Sequence, residues 1–533
     1  MLLIKEWIHS CEDHTTCSRA ASSYRGEAPQ LPTRLLDVFH GPDKNAVAVV
    51  DGNKIGASSQ YVTLSHCWGG DLSTKLLSSN EAAFRSRVPH DDLPRTFRDA
   101  IDLTRRLEVR YIWIDALCII QDSEEDWARQ AARMGDIYSD SYLNVCATTS
   151  TDGHGGLFRT RNPRAIAACR IDARWTAYKS GQFACYFPDA FMEKVELGPL
   201  NKRAWVVQER ILSPRNVHFT EDQVFWECAQ VKASECFVKG LPDESNILKS
   251  FMLPPGSGDA YDLKTLRILW DEIVKRYTGC ALTMSSDKLV ALAGIAQRFR
   301  HVAGYDHADY LAGLWRGNME HELLWSTSLG GENRRPAQFR APSWSWASVD
   351  GQVTGGFADV AMDPTRLCAK VASASTAPRF DTYGSVAYGN VWMRGPMCEL
   401  NTSATAVSSE IPAFGREISF TANGRLLDPL QVVLYADDLS EAGLLSITNE
   451  VVYFMIVRVV DRTSTTSYKK HEGLLLKPVS SRKGVYSRLG LLALLEKDAQ
   501  NIVWDSFRSA EIPEERHQGL HRDEINYYDI ELK

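Results

Sequence analysis

Between residues 61 and 150 the hydrophobic pattern switches repeatedly between a period of two and a period near 3.6, and this alternation limits the fold more than any other feature. Tyr61-Val-Thr-Leu-Ser-His-Cys-Trp68 mixes β-branched, aromatic and apolar residues and stops at Gly69-Gly70, which reads as a strand followed by a turn. Behind Leu93-Pro94-Arg95-Thr96, residues Phe97, Ile101, Thr104 and Leu107 recur at helical spacing, with Thr96 and Asp99 placed as an N-cap pair. Arg110 to Ile120 is almost continuously apolar apart from Asp115, the pattern of a strand buried on both faces. The acidic run Asp122-Ser-Glu-Glu-Asp126 suits a helix N-terminus, where the helix dipole favours negative charge. Trp127, Ala131, Met134, Ile137 and Tyr138 continue that helix, and Tyr142 to Ala147 reads as a further strand. Strand, helix, strand, helix, strand implies right-handed crossovers and an α/β domain built on a mainly parallel sheet.

Residues 198–228 add two candidate strands, one around Val206 and one around Val217-His218-Phe219 or Val224-Phe225-Trp226. Residues 261–300 carry helical stripes, first Leu263, Leu266, Leu269, Trp270 and Ile273, then Leu289 to Phe299. From about residue 340 short β-rich runs alternate with Gly, Ser and Asp turns, as in Val391-Trp-Met393 and Tyr453-Phe-Met-Ile-Val457. The expected organisation is an N-terminal helical and linker segment (1–60), the α/β domain (61–230), a helical segment (231–340) and a mostly β C-terminal region (341–533). At 533 residues the chain exceeds what one ordinary core supports.

The chain is 44% hydrophobic and 24% charged, which is a globular composition. A net charge of -7 and no Lys/Arg-dense run give no field for nucleic acid or anionic membranes. Lys5 and Glu6 interrupt the apolar start, so no secretion signal is expected, and no apolar stretch is long enough for a transmembrane segment. The twelve cysteines are scattered, with none after Cys398. Reduced thiols and a cytoplasmic location are the expectation.

Near the N-terminus, Cys11-x2-His14-x2-Cys17 has ligand types that suit zinc. The spacing supplies three ligands, no fourth, and no CxxC knuckle. The expectation is therefore no metal, with a short helix packing Trp7 and two buried thiols against the main domain.

Three blocks in order resemble the fungal heterokaryon-incompatibility (HET) domain: Tyr61 to Gly70, Tyr111 to Asp122 with Asp126-Trp127 and Met134 to Tyr138, and Arg203-Ala-Trp-Val-Val-Gln-Glu-Arg210. The match covers roughly residues 61–210. Leu31-Pro-Thr-Arg-Leu-Leu36 and Arg340-Ala-Pro-Ser-Trp-Ser-Trp-Ala-Ser348 resemble segments that accompany the domain. Ala116 stands where many relatives carry Ser, which argues against a nucleophile there. The resemblance implies self/non-self recognition, in which fusion of unlike fungal cells triggers cell death. It also implies protein partners and self-association. Other members sit in secondary-metabolite gene clusters, and the domain has been compared with TIR domains, some of which cleave NAD.

Three classes of function stay open: a cell-death signalling module; an enzyme, either an NAD hydrolase or a biosynthetic protein; and a purely structural or interaction protein, if the polar motif residues only build the sheet. The chain has no GxGxxG fingerprint, Walker loop, HExxH or GxSxG, which removes several standard enzyme classes. His66 is a candidate acid/base or a packed core histidine, and on a regular strand it cannot form a dyad with Cys67. Asp115, in an apolar run, needs a donor, and Arg203 is the leading one. Cys118 reads as a buried inert thiol. If NAD is the substrate, Glu209 is the first choice to stabilise oxocarbenium-like charge and Asp115 the second, with Arg203 and Trp68 contacting the nucleotide. The alternative for Glu209 is a salt bridge to a neighbouring Arg. Convergence of His66, Asp115, Arg203 and Glu209 would discriminate these readings.

Overall fold

The computed structural model describes residues 1–20, 30–41, 46–70, 74–167, 169–174, 181–185, 187–242, 248–249, 261–328, 333–355, 367–379, 382–405, 417–428, 431–461, 469–479, 482, 484–495, 497–509, 518–522 and 525–533. The chain divides into two compact units. One comprises Met1–Ala260 with Ala291–Val302, and the other Tyr261–Val290 with Ala303–Lys533.

The first unit opens with two helices, α1 (Leu2–Glu12) and α2 (Thr15–Ala20), and then two strands, β1 (Arg34–His40) and β2 (Ala46–Asp51). After these come β3 (Tyr61–Ser65), α3 (Glu81–Ser86), α4 (Arg95–Arg106), β4 (Tyr111–Trp113), α5 (Asp115–Cys118), α6 (Glu124–Ser139) and β5 (Leu143–Cys146). The remainder is α7 (Pro163–Ile166), the hairpin β6 (Cys169–Ala173) and β7 (Gly181–Cys185), α8 (Ala204–Leu212), β8 (Arg215–Phe219), β9 (Val224–Cys228) and β10 (Lys232–Ser234).

Eight strands form one sheet in the order β10-β9-β8-β5-β3-β4-β1-β2. Its centre is parallel, with Tyr61 opposite Tyr111, Val62 opposite Leu143, and Asn144 opposite Asn216. Antiparallel strands flank this centre on both sides. The α/β expectation holds, and the sheet is mixed rather than mainly parallel. Residues 34–51 supply strands where a helical and linker segment was expected. β1 is anchored from its first residue, because the buried Arg34 guanidinium donates to the Asp126 carboxylate and to the Cys118 carbonyl.

Three local readings need correction. The run from Arg110 to Ile120 is strand only at Tyr111–Trp113; Asp115 then opens the single turn α5. The segment around Val206 is helix α8, since a short apolar run does not reveal its own period. Thr96 and Asp99 do not cap α4, whose N-cap is Pro94. Thr96 Oγ1 accepts from the Gly156 N–H at 3.1 Å, and Asp99 Oδ2 accepts from Leu157 N–H at 2.8 Å, so both hold the 153–158 loop. α6 starts as expected, its Ser123 hydroxyl accepting from the Asp126 N–H behind three acidic first-turn residues.

One continuous core joins β1 to β5 with Phe97, Ile101 and Leu103 of α4, Met134, Ile137 and Tyr138 of α6, and Ile4, Trp7 and Ile8 of α1. Gly69 has φ +69°, and a Cβ there would meet Asp152 Cβ at 2.2 Å, so the turn after β3 requires glycine.

The second unit contains the helix Leu263–Thr278 and a ten-stranded sheet formed by residues 370–532. Five of its strands close on themselves. Val386–Thr405 pairs with Val451–Asp461, which pairs with Lys469–Pro478, then Val485–Leu494, then Ile525–Leu532, and the last pairs back onto Val386–Thr405. Phe507 and Val503 of the helix Lys497–Ser509 share a core with Phe454, Leu475 and Leu492. The Arg340–Ser348 segment is structural: Trp344 and Trp346 are buried, and Arg340 donates to the carbonyls of Ala347 and Val349. Among the described residues no helix is long and apolar enough to cross a membrane.

Candidate functional site

In the order β5-β3-β4, the chain leaves β3 through α4 to β4 on one side, then crosses through α6 to β5 on the other. Open α/β sheets bind ligands beyond the carboxyl ends of their strands at such a reversal. His66 and Cys67 directly follow β3, and Asp115 stands two residues past β4. Glu209 and Arg203 come from α8 and its N-cap.

Asp115 is half-buried, its side chain 25% exposed, and it bonds through both oxygens. Oδ2 accepts from the Trp68 indole N–H at 2.9 Å, and Oδ1 accepts from the Ala116 N–H at 2.7 Å. Arg203 is not its partner. The Arg203 guanidinium donates instead to the carbonyl of His66, tying the N-cap of α8 to the end of β3. Asp115 thus meets its need for donors with an indole and the first turn of α5, and keeps an edge toward solvent.

His66 is buried between Phe97, in edge-to-face contact at 4.8 Å, and Trp68, stacked at 6.4 Å. Burial pushes its imidazole below the ordinary histidine value, although Asp115 pulls the other way. Nε2 lies 3.7 Å from Asp115 Oδ1, too long for a hydrogen bond, and has no hydrogen-bond partner among the described residues. The ring is therefore neutral with one idle nitrogen.

Glu209 is buried on α8, and burial pushes its carboxyl up to about 7. The Ser65 hydroxyl and the Arg203 guanidinium lower it in part, while the Asp115 charge raises it further. Its Oε2 has no hydrogen-bond partner among the described residues. No salt bridge joins Glu209 to Arg210, whose guanidinium serves the carboxylates of Glu227 and Glu196. A carboxyl poised near neutrality can accept or release a proton at physiological pH. By contrast, burial pushes the Cys118 thiol up to about 12, which fits the inert reading.

Beside this site lies a buried ionic network that the sequence did not reveal. Arg210 donates to Glu227 at 2.8 and 2.9 Å and to Glu196 at 2.9 Å. His218 and Asn216 also meet Glu227 Oε2, at 3.2 and 3.0 Å. Burial alone would raise the Glu227 carboxyl, but Arg210, His218 and Lys249 outweigh it and hold the group well below the usual carboxylate range. Asn144 continues the network, donating to Asn216 Oδ1 and Ser65 Oγ at 3.1 Å each. Ser65 connects it to Glu209. Only the alternation of polar with apolar residues in Val217-His218 and Trp226-Glu227 hinted at such a network.

The N-terminal motif also gains a residue. Cys228, at the end of β9, lies with its sulfur 3.5 Å from His14 Nδ1 although 214 residues separate them in sequence. No spacing rule reaches across that distance.

Residues 61–209 match the family model described as Heterokaryon incompatibility protein (HET), so this stretch of the chain carries a HET domain. Searches of curated proteins and of solved structures found no match.

Proposed function

We propose that the chain acts in fungal self/non-self recognition, its HET domain delivering a cell-death output in the cytoplasm through protein partners. The match over residues 61–209 carries this reading. It is supported by where the three sequence blocks meet, since each contributes residues to the carboxyl ends of β3 and β4.

A second reading, that the output is chemical, is favoured by one observation: the Glu209 carboxyl is pushed to about 7. In this reading NAD is the substrate. The bond between the nicotinamide nitrogen and the ribose carbon breaks with its electron pair leaving on nicotinamide. Water adds to the ribose carbon and its proton passes to the Glu209 carboxylate. Ionised Glu209 stabilises the oxocarbenium-like charge, with Asp115 as the second carboxylate and His66 as a neutral hydrogen-bonding group. Trp68 offers an aromatic face and Arg203 a positive charge for the phosphates. Asp115, Trp68 and Arg203 are the half-buried members and mark the side from which a ligand enters.

The test is overproduction of the full chain in fungal cells, following survival, cellular NAD and protein abundance together. The parent is expected to kill and to lower NAD. Glu209→Gln, which keeps shape but removes charge, is expected to lose about a hundredfold or more in rate, the usual effect of deleting one transition-state stabiliser. Toxicity without NAD loss would end the chemical reading and leave signalling intact. An abundant parent that does not kill would end the cell-death reading.

A further inference from the structure

Cys11, His14, Cys17 and Cys228 each bring one ligand atom into a cluster in which all four atoms lie within 4.8 Å of one another. We propose that these four residues bind one structural zinc ion, which fastens the N-terminal helical pair to β9. The proposal is independent of any role for Glu209.

Three thiols and one imidazole form a donor set that suits tetrahedral zinc with no position left for substrate. Bonds of about 2.3 Å to sulfur and 2.0–2.1 Å to nitrogen make the edges of that tetrahedron about 3.8 Å between sulfurs and about 3.6 Å between sulfur and nitrogen. His14 Nδ1 lies 3.7 Å from Cys17 Sγ and 3.5 Å from Cys228 Sγ, close to the ideal edge. None of the three cysteines is in a disulfide, and Cys11 and Cys228 are buried.

The backbone is arranged to bring the ligands together. Cys11 lies in the last turn of α1, the His14 N–H bonds to the Cys11 carbonyl, and Cys17 lies in the first turn of α2. On the sheet side, the turn after Cys228 aims amide groups at sulfur: the Val231 N–H meets Cys228 Sγ at 3.3 Å, and the Gln230 N–H faces the sulfurs of Cys228 and Cys17. Such second-layer donors are what metal-bound thiolates require. The Gln230 side chain accepts from the Thr16 N–H at 3.2 Å, joining the two halves of the site again.

The test begins with the full chain purified under reducing conditions from zinc-containing medium. Elemental analysis is expected to give one zinc per chain. Cys17→Ser and Cys228→Ser should each lose it, while His14→Cys should keep it as a four-thiolate site. Chelated wild-type protein titrated with cobalt(II) should show the absorption of a tetrahedral thiolate complex, which added zinc abolishes. This measurement decides the matter even if the serine variants misfold. A folded, reduced wild-type chain with neither zinc nor a cobalt spectrum overturns the proposal. So does zinc that persists undiminished in both serine variants. Two missing thiols in unreduced, metal-free protein that also fails the cobalt titration would replace the ion by a disulfide.

Discussion

Burial moves the Glu209 carboxyl from an ordinary 4.5 to about 7, and this shift fixes a sign for stability. Below about 4.5 both folded and unfolded chains hold the proton, and the residue is neutral in its effect. Between about 4.5 and about 7 the unfolded chain releases the proton while the native state retains it, so stability falls as pH rises. Above about 7 the full cost is present, on the order of 3 kcal/mol for a shift of this size. Glu209→Gln imitates the protonated acid. It is expected to match the parent near pH 4.5 and to exceed it in thermal midpoint at pH 8; equal midpoints at pH 8 would contradict the burial argument. Glu227 behaves in the opposite way. Its ionised form is held by Arg210, His218 and Lys249, so Glu227→Gln leaves two buried cations short of a partner. A loss of about 3–5 kcal/mol is expected in urea unfolding. A loss below about 1 kcal/mol would mean that water reaches the network.

Elements were legible where their period was long and their ends were marked. α4, α6, β3 and β5 follow from apolar spacing, from the acidic run Asp122–Asp126 as a helix start and from Gly69-Gly70 as a stop. α8 was misread because its apolar stretch is too short to separate strand from buried helix. The same misreading hid that Glu209 and Arg210, adjacent on a helix, are committed to different partners. His66, Asp115 and Glu209 were legible as candidates because they sit inside recognisable blocks. Glu227 and Cys228 were not, because their partners are contributed by other elements. α8 is also held from outside the family match. The Gln208 side chain accepts from the Gly294 N–H at 3.0 Å, and Gly294 packs against Gly135 of α6 so closely that a Cβ on it would lie 2.7 Å from the Gly135 Cα. Gly294→Ala is therefore expected to cost about 1–3 kcal/mol in urea unfolding, as overpacking does. An unchanged midpoint would show that α6 and the helix Ala293–Ala303, which carries Gly294, can part freely.

The HET match stops well short of the unit that contains it. β1 and β2 precede residue 61, β8 to β10 follow residue 209, and the buried Arg34–Asp126 pair crosses the N-terminal boundary. A fragment of residues 61–209 is expected to show no cooperative transition by circular dichroism in urea, while the full chain does. A sharp transition in the fragment would mean that the parallel strands suffice alone. The region after residue 340 was read only as β-rich, because alternating patterns report strands without reporting how they pair. Nothing local in Val386–Thr405 shows that it pairs with both Val451–Asp461 and Ile525–Leu532 and so closes a ring.

The docking of the first helix on β9 also has a consequence in time. Trp7 lies 6.0 Å from Trp226 and donates its indole N–H to the Val238 carbonyl, and His14 waits on Cys228, 214 residues later. Ribosomes add about 5–20 residues per second, so roughly 10–40 s pass between the emergence of the N-terminal thiols and that of the strand that covers them. During that interval Trp7, Cys11 and Cys17 are uncovered on a growing chain. Residues made early thus reach their native place late.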